Sequence, residues 1–172
     1  MKKKALVYVW TGLGAGKTAS ALGIALRTAG HQKKAVIVQF MKGWKNTGEF
    51  LAQKKLAPYY SVHQFGRKGW VDLNKPSLAD KRLAQKGLEF ARAVLKKKPD
   101  LLVLDEIILA VACGLLDLKE VLQLLDQASA KTALYLTGRY CPKELIERAD
   151  FVTEFVTLKQ PKKMSAKKGI EY

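Results

Sequence analysis

Gly12-Leu13-Gly14-Ala15-Gly16-Lys17-Thr18 is the stretch of this chain best suited to chemistry. Alternating glycines let the backbone turn its N–H groups inward around an anion. A lysine then reaches phosphate oxygens, and a threonine hydroxyl can ligate a divalent metal. The stretch fails the strict Gly-x-x-x-x-Gly-Lys-Ser/Thr pattern, because Gly12 and Gly16 are four apart and Thr11 stands where the first glycine should be. The physical requirements are met all the same: an apolar, β-prone run precedes the loop and a helical pattern follows it. A glycine-rich strand-to-helix turn without a ligand is the plain alternative; the expectation is a loop that grips the triphosphate of ATP.

Asp105-Glu106 directly follows the apolar run Leu101-Leu102-Val103-Leu104, the expected place for a carboxylate that holds a metal opposite Thr18. Two charges 4 Å apart attract by about 1 kcal/mol in water but about 4 kcal/mol at an effective dielectric of 20, so a pocket rewards that pairing. The alternative for Asp105 is a helix N-cap. Arg139, bracketed by Gly138 at a strand end, is the better anion ligand of two arginines; Arg27, on the first helix, has a solvated face as its alternative. Trp44, Trp70, Phe65 and the Tyr59-Tyr60 pair gather between Met41 and Pro76, where they suit either a large flat ligand or a satellite apolar cluster.

These residues need elements to hold them. Ala5 to Trp10 reads as a strand, Thr18 to Ala29 as a helix stopped by Gly30, and Ala35 to Phe40 as a second strand, which together make a βαβ unit. Met41 to Pro76 reads as irregular apart from a short strand at Tyr59 to Phe65. Asp80 to Lys97 has helical period, and Leu101 to Leu104 is a third strand. Ile107 to Ala112 begins a helix stopped at Gly114, and Asp117 with Glu120 resembles a capping box for the next one. Thr132 to Leu136 is a strand, Pro142 opens a short helix to Ala149, and Phe151 to Leu158 is the last strand. The chain is expected to be one domain over residues 1–172, α/β in class, with a doubly wound, mainly parallel sheet of five to six strands. Each candidate motif, Gln39 included, then falls at a carboxyl end of a strand, where such sheets bind ligands.

Composition narrows the setting. No apolar run approaches the roughly 20 residues of a membrane helix, so no membrane is expected as a partner. The two cysteines, Cys113 and Cys141, form no Cys-x-x-Cys pair, and with two isolated histidines they build no metal site; the expected compartment is the cytoplasm. Met1-Lys2-Lys3-Lys4 reads as a solvated lead-in, and 159–172 as a basic, weakly patterned tail. Formal net charge is +16. Its lysines fall in short scattered clusters without aromatic interleaving, so a solvated surface is expected and nucleic acid is not the expected partner.

Taken together, the motifs resemble the P-loop ATP:corrinoid adenosyltransferases, a family with a RecA-like fold. The resemblance rests on Thr-Gly-x-Gly-x-Gly-Lys-Thr at Thr11 to Thr18, Val-Gln-Phe-Met-Lys-Gly at Val38 to Gly43, Gly48-Glu49, and Val-Leu-Asp-Glu at Val103 to Glu106. Leu136 to Arg139, Ala149 to Glu154 and Gly169 to Tyr172 extend it over nearly the whole chain. It implies transfer of the adenosyl group of ATP to the cobalt of a reduced corrinoid, with triphosphate released. It also implies that Gly12, Gly14, Gly16 and Lys17 cradle the phosphates, that Thr18 and Glu106 hold magnesium or manganese, and that Arg139 lies near the nucleotide, with Lys17 and Arg139 as the expected catalytic groups; Leu13, Ala15 and Arg27 are further candidate nucleotide-binding residues. Trp70 falls in the segment that the family uses beside the corrin. A homodimer and an electron-donating flavoprotein are the implied protein partners. The chain opens directly on its first strand, where some relatives carry a segment that covers the active site, and Lys159-Gln160-Pro161 stands where relatives usually place a histidine before the proline. Two other readings compete: a basic RecA-like ATPase that binds nucleic acid, and a relative that binds nucleotide or corrinoid without catalysis.

Overall fold

The computed structural model describes residues 4–163 and 165–170. Lys2 and Lys3 of the basic lead-in, and Glu171 and Tyr172 of the closing motif, lie outside the described residues. The chain alternates strands and helices: β1 (Val7–Thr11), α1 (Lys17–Gly30), β2 (Ala35–Phe40), α2 (Gly48–Leu56), β3 (Tyr60–Phe65) and α3 (Leu78–Lys96). There follow β4 (Leu101–Asp105), α4 (Ile107–Ala112), α5 (Leu118–Asp126), β5 (Ala133–Thr137), α6 (Lys143–Arg148) and β6 (Phe151–Glu154). All pairings between these strands are parallel, in the order β3-β2-β4-β5-β1-β6, so β4 and β5 are inserted between β1 and β2. The expected doubly wound parallel sheet is present with six strands.

The period of two along each strand sorts side chains onto two faces. Val38, Phe40, Leu102, Leu104, Leu134 and Leu136 bury against α3, α4, α5 and α6. Ile37, Val103 and Tyr135 bury against the other layer, where α1 contributes Ala21, Ala25 and Ala29. Alanine every four residues gives α1 a flat stripe that lies close to the sheet, which fixes the angle at which its first turn meets the loop after β1.

Several boundaries differ from the sequence expectation for local reasons. Residues 48–56, read as irregular, form α2; none of its residues is buried, so it has no apolar stripe to reveal it. The Ser77 hydroxyl accepts from the Asp80 backbone N–H and the Asp80 carboxylate accepts from that of Ser77, a capping box that starts α3 ahead of its apolar pattern. The box expected at Asp117 is incomplete. Asp117 accepts from Lys119 N at 2.7 Å, while Glu120 instead accepts from Gln85 Nε2. The last strand stops at Glu154, four residues early, because the chain leaves the sheet edge to cross the glycine loop.

Candidate active site

Strand register brings a row of polar residues to the carboxyl edge of the sheet. Gln64 of β3 is level with Gln39 of β2, which is level with Asp105 of β4. Thr137 ends β5 beside Trp10 of β1. Asp105 is 1% exposed. Its Oδ1 accepts from Thr18 Oγ1 at 2.9 Å and Thr137 Oγ1 at 2.7 Å. Its Oδ2 accepts from Lys42 Nζ at 2.7 Å and Gln39 Nε2 at 3.1 Å. Burial works against that charge, but the Lys42 ammonium and the hydroxyl donors outweigh it and hold the carboxyl below its ordinary pKa. Gln39, fully buried, also donates to Glu49 Oε1 and accepts from Gln64 Nε2, so the row is a continuous hydrogen-bonded chain.

The glycine loop is shaped from outside by the chain leaving β6. Phe155 N donates to Thr11 O at 2.8 Å, and Gly14 N donates to Phe155 O at 2.7 Å. A Cβ on Gly14 would lie 2.7 Å from the Phe155 carbonyl carbon, closer than side chains approach backbone. That crossing is why a glycine stands in the middle of the loop. Gly16, in the left-handed conformation, caps α1. The first N–H groups of α1 have no acceptor within the helix and carry its positive end. Lys17 is buried, and its Nζ donates to Gly12 O at 2.7 Å and Gly14 O at 2.6 Å, which fixes the ammonium inside the loop. Burial lowers its pKa, Glu106 opposes that, and Arg139 adds to it.

Glu106 sits at the start of α4 with φ 63° and makes no side-chain cap; its backbone N–H donates to Thr137 Oγ1 at 2.9 Å. The alternative of an N-cap at Asp105 does not hold, since its carboxylate is taken up by Thr18, Thr137, Gln39 and Lys42. Among the described residues, Glu106 Oε2 has no hydrogen-bond partner although it is buried. Burial, and then the Asp105 charge, raise the Glu106 pKa against the opposing cations. A buried carboxylate oxygen without a donor, beside a threonine hydroxyl and a second carboxylate, is an all-oxygen set that fits magnesium or manganese. Among the described residues no group of three or more His, Cys, Asp or Glu converges, so such an ion would draw further oxygens from phosphate and water.

Arg139 is exposed just past Gly138 and its charge is felt at both Lys17 and Glu106, which puts it on the loop side of the sheet. Arg27 is exposed in the last turn of α1, ten residues beyond Lys17. At about 1.5 Å per residue it lies roughly 15 Å down the helix, and the fold does not bring it to the loop. Leu13 and Ala15 are on the exposed crest of the loop.

The aromatic group divides. Tyr60 is buried in β3, and Phe65 packs against Phe90 with ring centres 5.3 Å apart, so both belong to the core. Trp44 and the 94% exposed Trp70 instead line one hollow of about 440 Å³ together with Met41, Lys42, Glu49 and Ala166. A second hollow of about 570 Å³ runs from Thr18 between α1 and α2 to Ile170, and it shares Lys42 and Glu49 with the first. Lys42 and Glu49, at the junction, had no role assigned from sequence and stood only inside the motifs Val38 to Gly43 and Gly48-Glu49 that carry the family resemblance; the signal for Lys42 was its place two residues past the carboxyl end of β2. Ala166, Gly169 and Ile170 show that the basic tail returns to the site.

A glycine loop leading into a helix at the carboxyl edge of a parallel sheet, with a buried acid on its threonine, defines a P-loop nucleotide-binding protein. The chain belongs to the ATP:corrinoid adenosyltransferase family BtuR/CobO/CobP, which it matches over residues 3–172. The corrinoid adenosyltransferase of Escherichia coli K12 is 33% identical, across 99% of this chain and 87% of that protein. That of Pseudomonas aeruginosa is 34% identical across 99% and 85%, and that of a Sinorhizobium species 31% identical across 99% and 81%. Among solved structures, an ATP synthase subunit, NeqB from Nanoarcheaum equitans, aligns with 80% of this chain and 39% of its own at a TM-score of 0.49 and 10% identity, too distant to bear on function.

Proposed function

We propose that this chain transfers the 5′-deoxyadenosyl group of ATP to the cobalt of a reduced corrinoid and releases triphosphate. The observation that carries the reading, beside family membership, is the junction at Lys42 and Glu49. There a hollow that begins at the phosphate loop meets a hollow walled by two exposed tryptophans. A nucleotide in the first and a flat macrocycle in the second would meet at that junction.

In this reaction cobalt(I) of the corrinoid substrate supplies an electron pair to the ribose C5′. A cobalt–carbon bond forms, the C5′–O bond breaks, and its electrons leave on the α-phosphate oxygen. No side chain has to act as nucleophile or base, in keeping with a site whose buried acid Asp105 is engaged with a cation and two hydroxyls. The protein's work is positioning and electrostatics. Gly12, Leu13, Gly14, Ala15 and Gly16 would turn backbone toward the phosphates, Lys17 would neutralise them from inside the loop, and Arg139 from its rim. Thr18 and Glu106 would hold magnesium or manganese, with Asp105 orienting the Thr18 hydroxyl; the metal, when bound, supplies positive charge against the triphosphate. Trp70 and Trp44 would cover the corrin face. Arg27, away from the loop, would act on the nucleotide only beyond the phosphates. The corrinoid would receive its electrons from a separate donor, for which a flavoprotein is our proposal, in the cytoplasm.

The test is anaerobic incubation with ATP, magnesium and a chemically reduced corrinoid, following the visible spectrum and the phosphate product. A light-sensitive alkylcobalt spectrum with triphosphate supports the proposal. Production of ADP and phosphate without spectral change sinks it and favours the ATPase reading. A homodimer is proposed also, on the strength of the open sheet edge at β6, where Phe151 and Val152 are exposed; sedimentation as a monomer at micromolar concentration would exclude it.

A further inference from the structure

Lys42 has a position that the reaction does not require. Its Nζ lies 2.7 Å from Asp105 Oδ2 and 3.2 Å from Thr18 Oγ1, so one ammonium bridges the loop threonine and the buried acid. Among the described residues no other Lys or Arg makes an ion pair with Asp105. The side chain keeps 28% of its exposure, on the wall of both hollows, and so has open space into which it can swing. Its backbone anchor is firm: Met41 N donates to Phe65 O, and Gly43 is in backbone contact with Gly66 and Arg67.

We propose that Lys42 is a built-in counter-ion of the metal position, holding the Thr18 and Asp105 oxygens in place and excluding a divalent cation until nucleotide supplies the ammonium with a new anionic partner. The inference rests on the reading that Thr18 ligates a metal. Thr18 Oγ1 donates its proton to Asp105 and accepts from the Lys42 ammonium, which takes up one of the two lone pairs by which that oxygen could hold a metal. A divalent cation on the same oxygen would sit beside the ammonium, and two positive charges side by side repel. Three neutral donors remain on Asp105 when Lys42 leaves: Thr18, Thr137 and Gln39. Phosphate oxygens at the loop would take the displaced ammonium, since the lysine stem is flexible and its charge point-like. Metal and nucleotide therefore bind with positive coupling, and by linkage each tightens the other by the same factor.

Manganese binding to the whole protein, followed by electron paramagnetic resonance with and without ATP, tests this directly. Lys42→Met and Lys42→Gln should bind manganese without ATP at least about tenfold more tightly than the parent. The ATP-induced gain in manganese affinity should shrink by the same factor, and Lys42→Arg, which keeps the charge, should resemble the parent. Unchanged manganese affinity in the Met and Gln variants, with ATP-dependent binding intact, overturns the role of Lys42 and leaves the metal reading standing. If neither the parent nor any variant binds manganese even with ATP, the metal reading fails and takes the proposal with it. Should the Met and Gln variants not fold, the parent's own ammonium resonance decides. Assigned by its loss in Lys42→Arg, it should stay in place with magnesium alone and move when ATP and magnesium are added together; a signal unmoved by both overturns the proposal.

Discussion

Glu106 and Lys17 face each other across the site with opposite consequences for stability and function. Glu106 carries a buried oxygen without a donor and a raised pKa. The folded protein therefore binds a proton there more tightly than the unfolded chain does. The contribution of Glu106 to stability is fully present below the ordinary glutamate range and is lost as pH rises through the raised folded value. Glu106→Gln removes that liability. It should stabilise the metal-free, nucleotide-free protein at neutral pH by roughly 1 kcal/mol, a Tm rise of about 2–4 °C for a chain of this size. The same change should weaken metal-dependent ATP binding, so calorimetry with magnesium and differential scanning should move in opposite directions; a loss in both would mean that the acid is structural. Lys17→Ala should weaken ATP binding roughly a hundredfold at any magnesium concentration, because the loop loses its interior cation. Undiminished affinity by calorimetry would contradict that role.

Elements, rather than single residues, set the distance between the two tryptophans. The stretch after β2 and the stretch after β3 touch backbone to backbone where Gly43 meets Gly66; a Cβ on Gly43 would lie 2.5 Å from the Gly66 carbonyl oxygen. Arg67, next along, pairs through Nε with Asp80 Oδ1 at 2.9 Å, and Asp80 belongs to the capping box of α3. The segment that carries Trp70 is thus pinned at its start to the head of α3. Arg67→Gln should free it, raising KM for the corrinoid several-fold while ATP affinity stays within about twofold, and increasing the mobility of Trp70 fluorescence. Equal losses for both substrates would assign Arg67 to global stability. This coupling was not legible beforehand. The chain between Met41 and Pro76 shows its glycines and aromatics, but the contact between Gly43 and Gly66 depends on β2 and β3 lying side by side. Nor could α2 be read, since Phe50 and Leu56 are only partly buried and none of its residues is fully so. By contrast α3, with Ala84, Leu88, Ala91 and Leu95 on one side, showed itself through period alone. The phosphate loop was legible through its flanks despite its spacing, and the reason for its spacing was not, because Phe155 is remote in sequence.

At the scale of the molecule, six parallel strands and their loaded carboxyl edge followed from alternation of apolar runs, while the insertion of β4 and β5 between β1 and β2 left no mark in any single run. Charge is the remaining whole-molecule property. The lysine clusters at 33–34, 54–55, 96–98, 162–163 and 167–168 are all exposed and spread around the fold. Among the described residues, Lys33, Lys34, Lys54, Lys55, Lys96, Lys97, Lys98, Lys162, Lys163 and Lys168 enter no ion pair. A net +16 distributed in this way makes a broad field instead of a stripe, and a broad field raises encounter rates with small anions more than it grips a polymer. The field reaches about 8 Å at physiological ionic strength and about 3 Å near 1 M salt. A corrinoid with free carboxylates should therefore be used more efficiently than its fully amidated counterpart at low salt. That advantage in kcat/KM should narrow severalfold between about 0.05 M and about 0.5 M sodium chloride, chiefly through KM. A preference independent of salt would place discrimination in direct contacts within the tryptophan-lined hollow and leave the lysines a solvating role alone. Tight, steeply salt-dependent binding of single- or double-stranded nucleic acid would instead move the surface toward the competing reading.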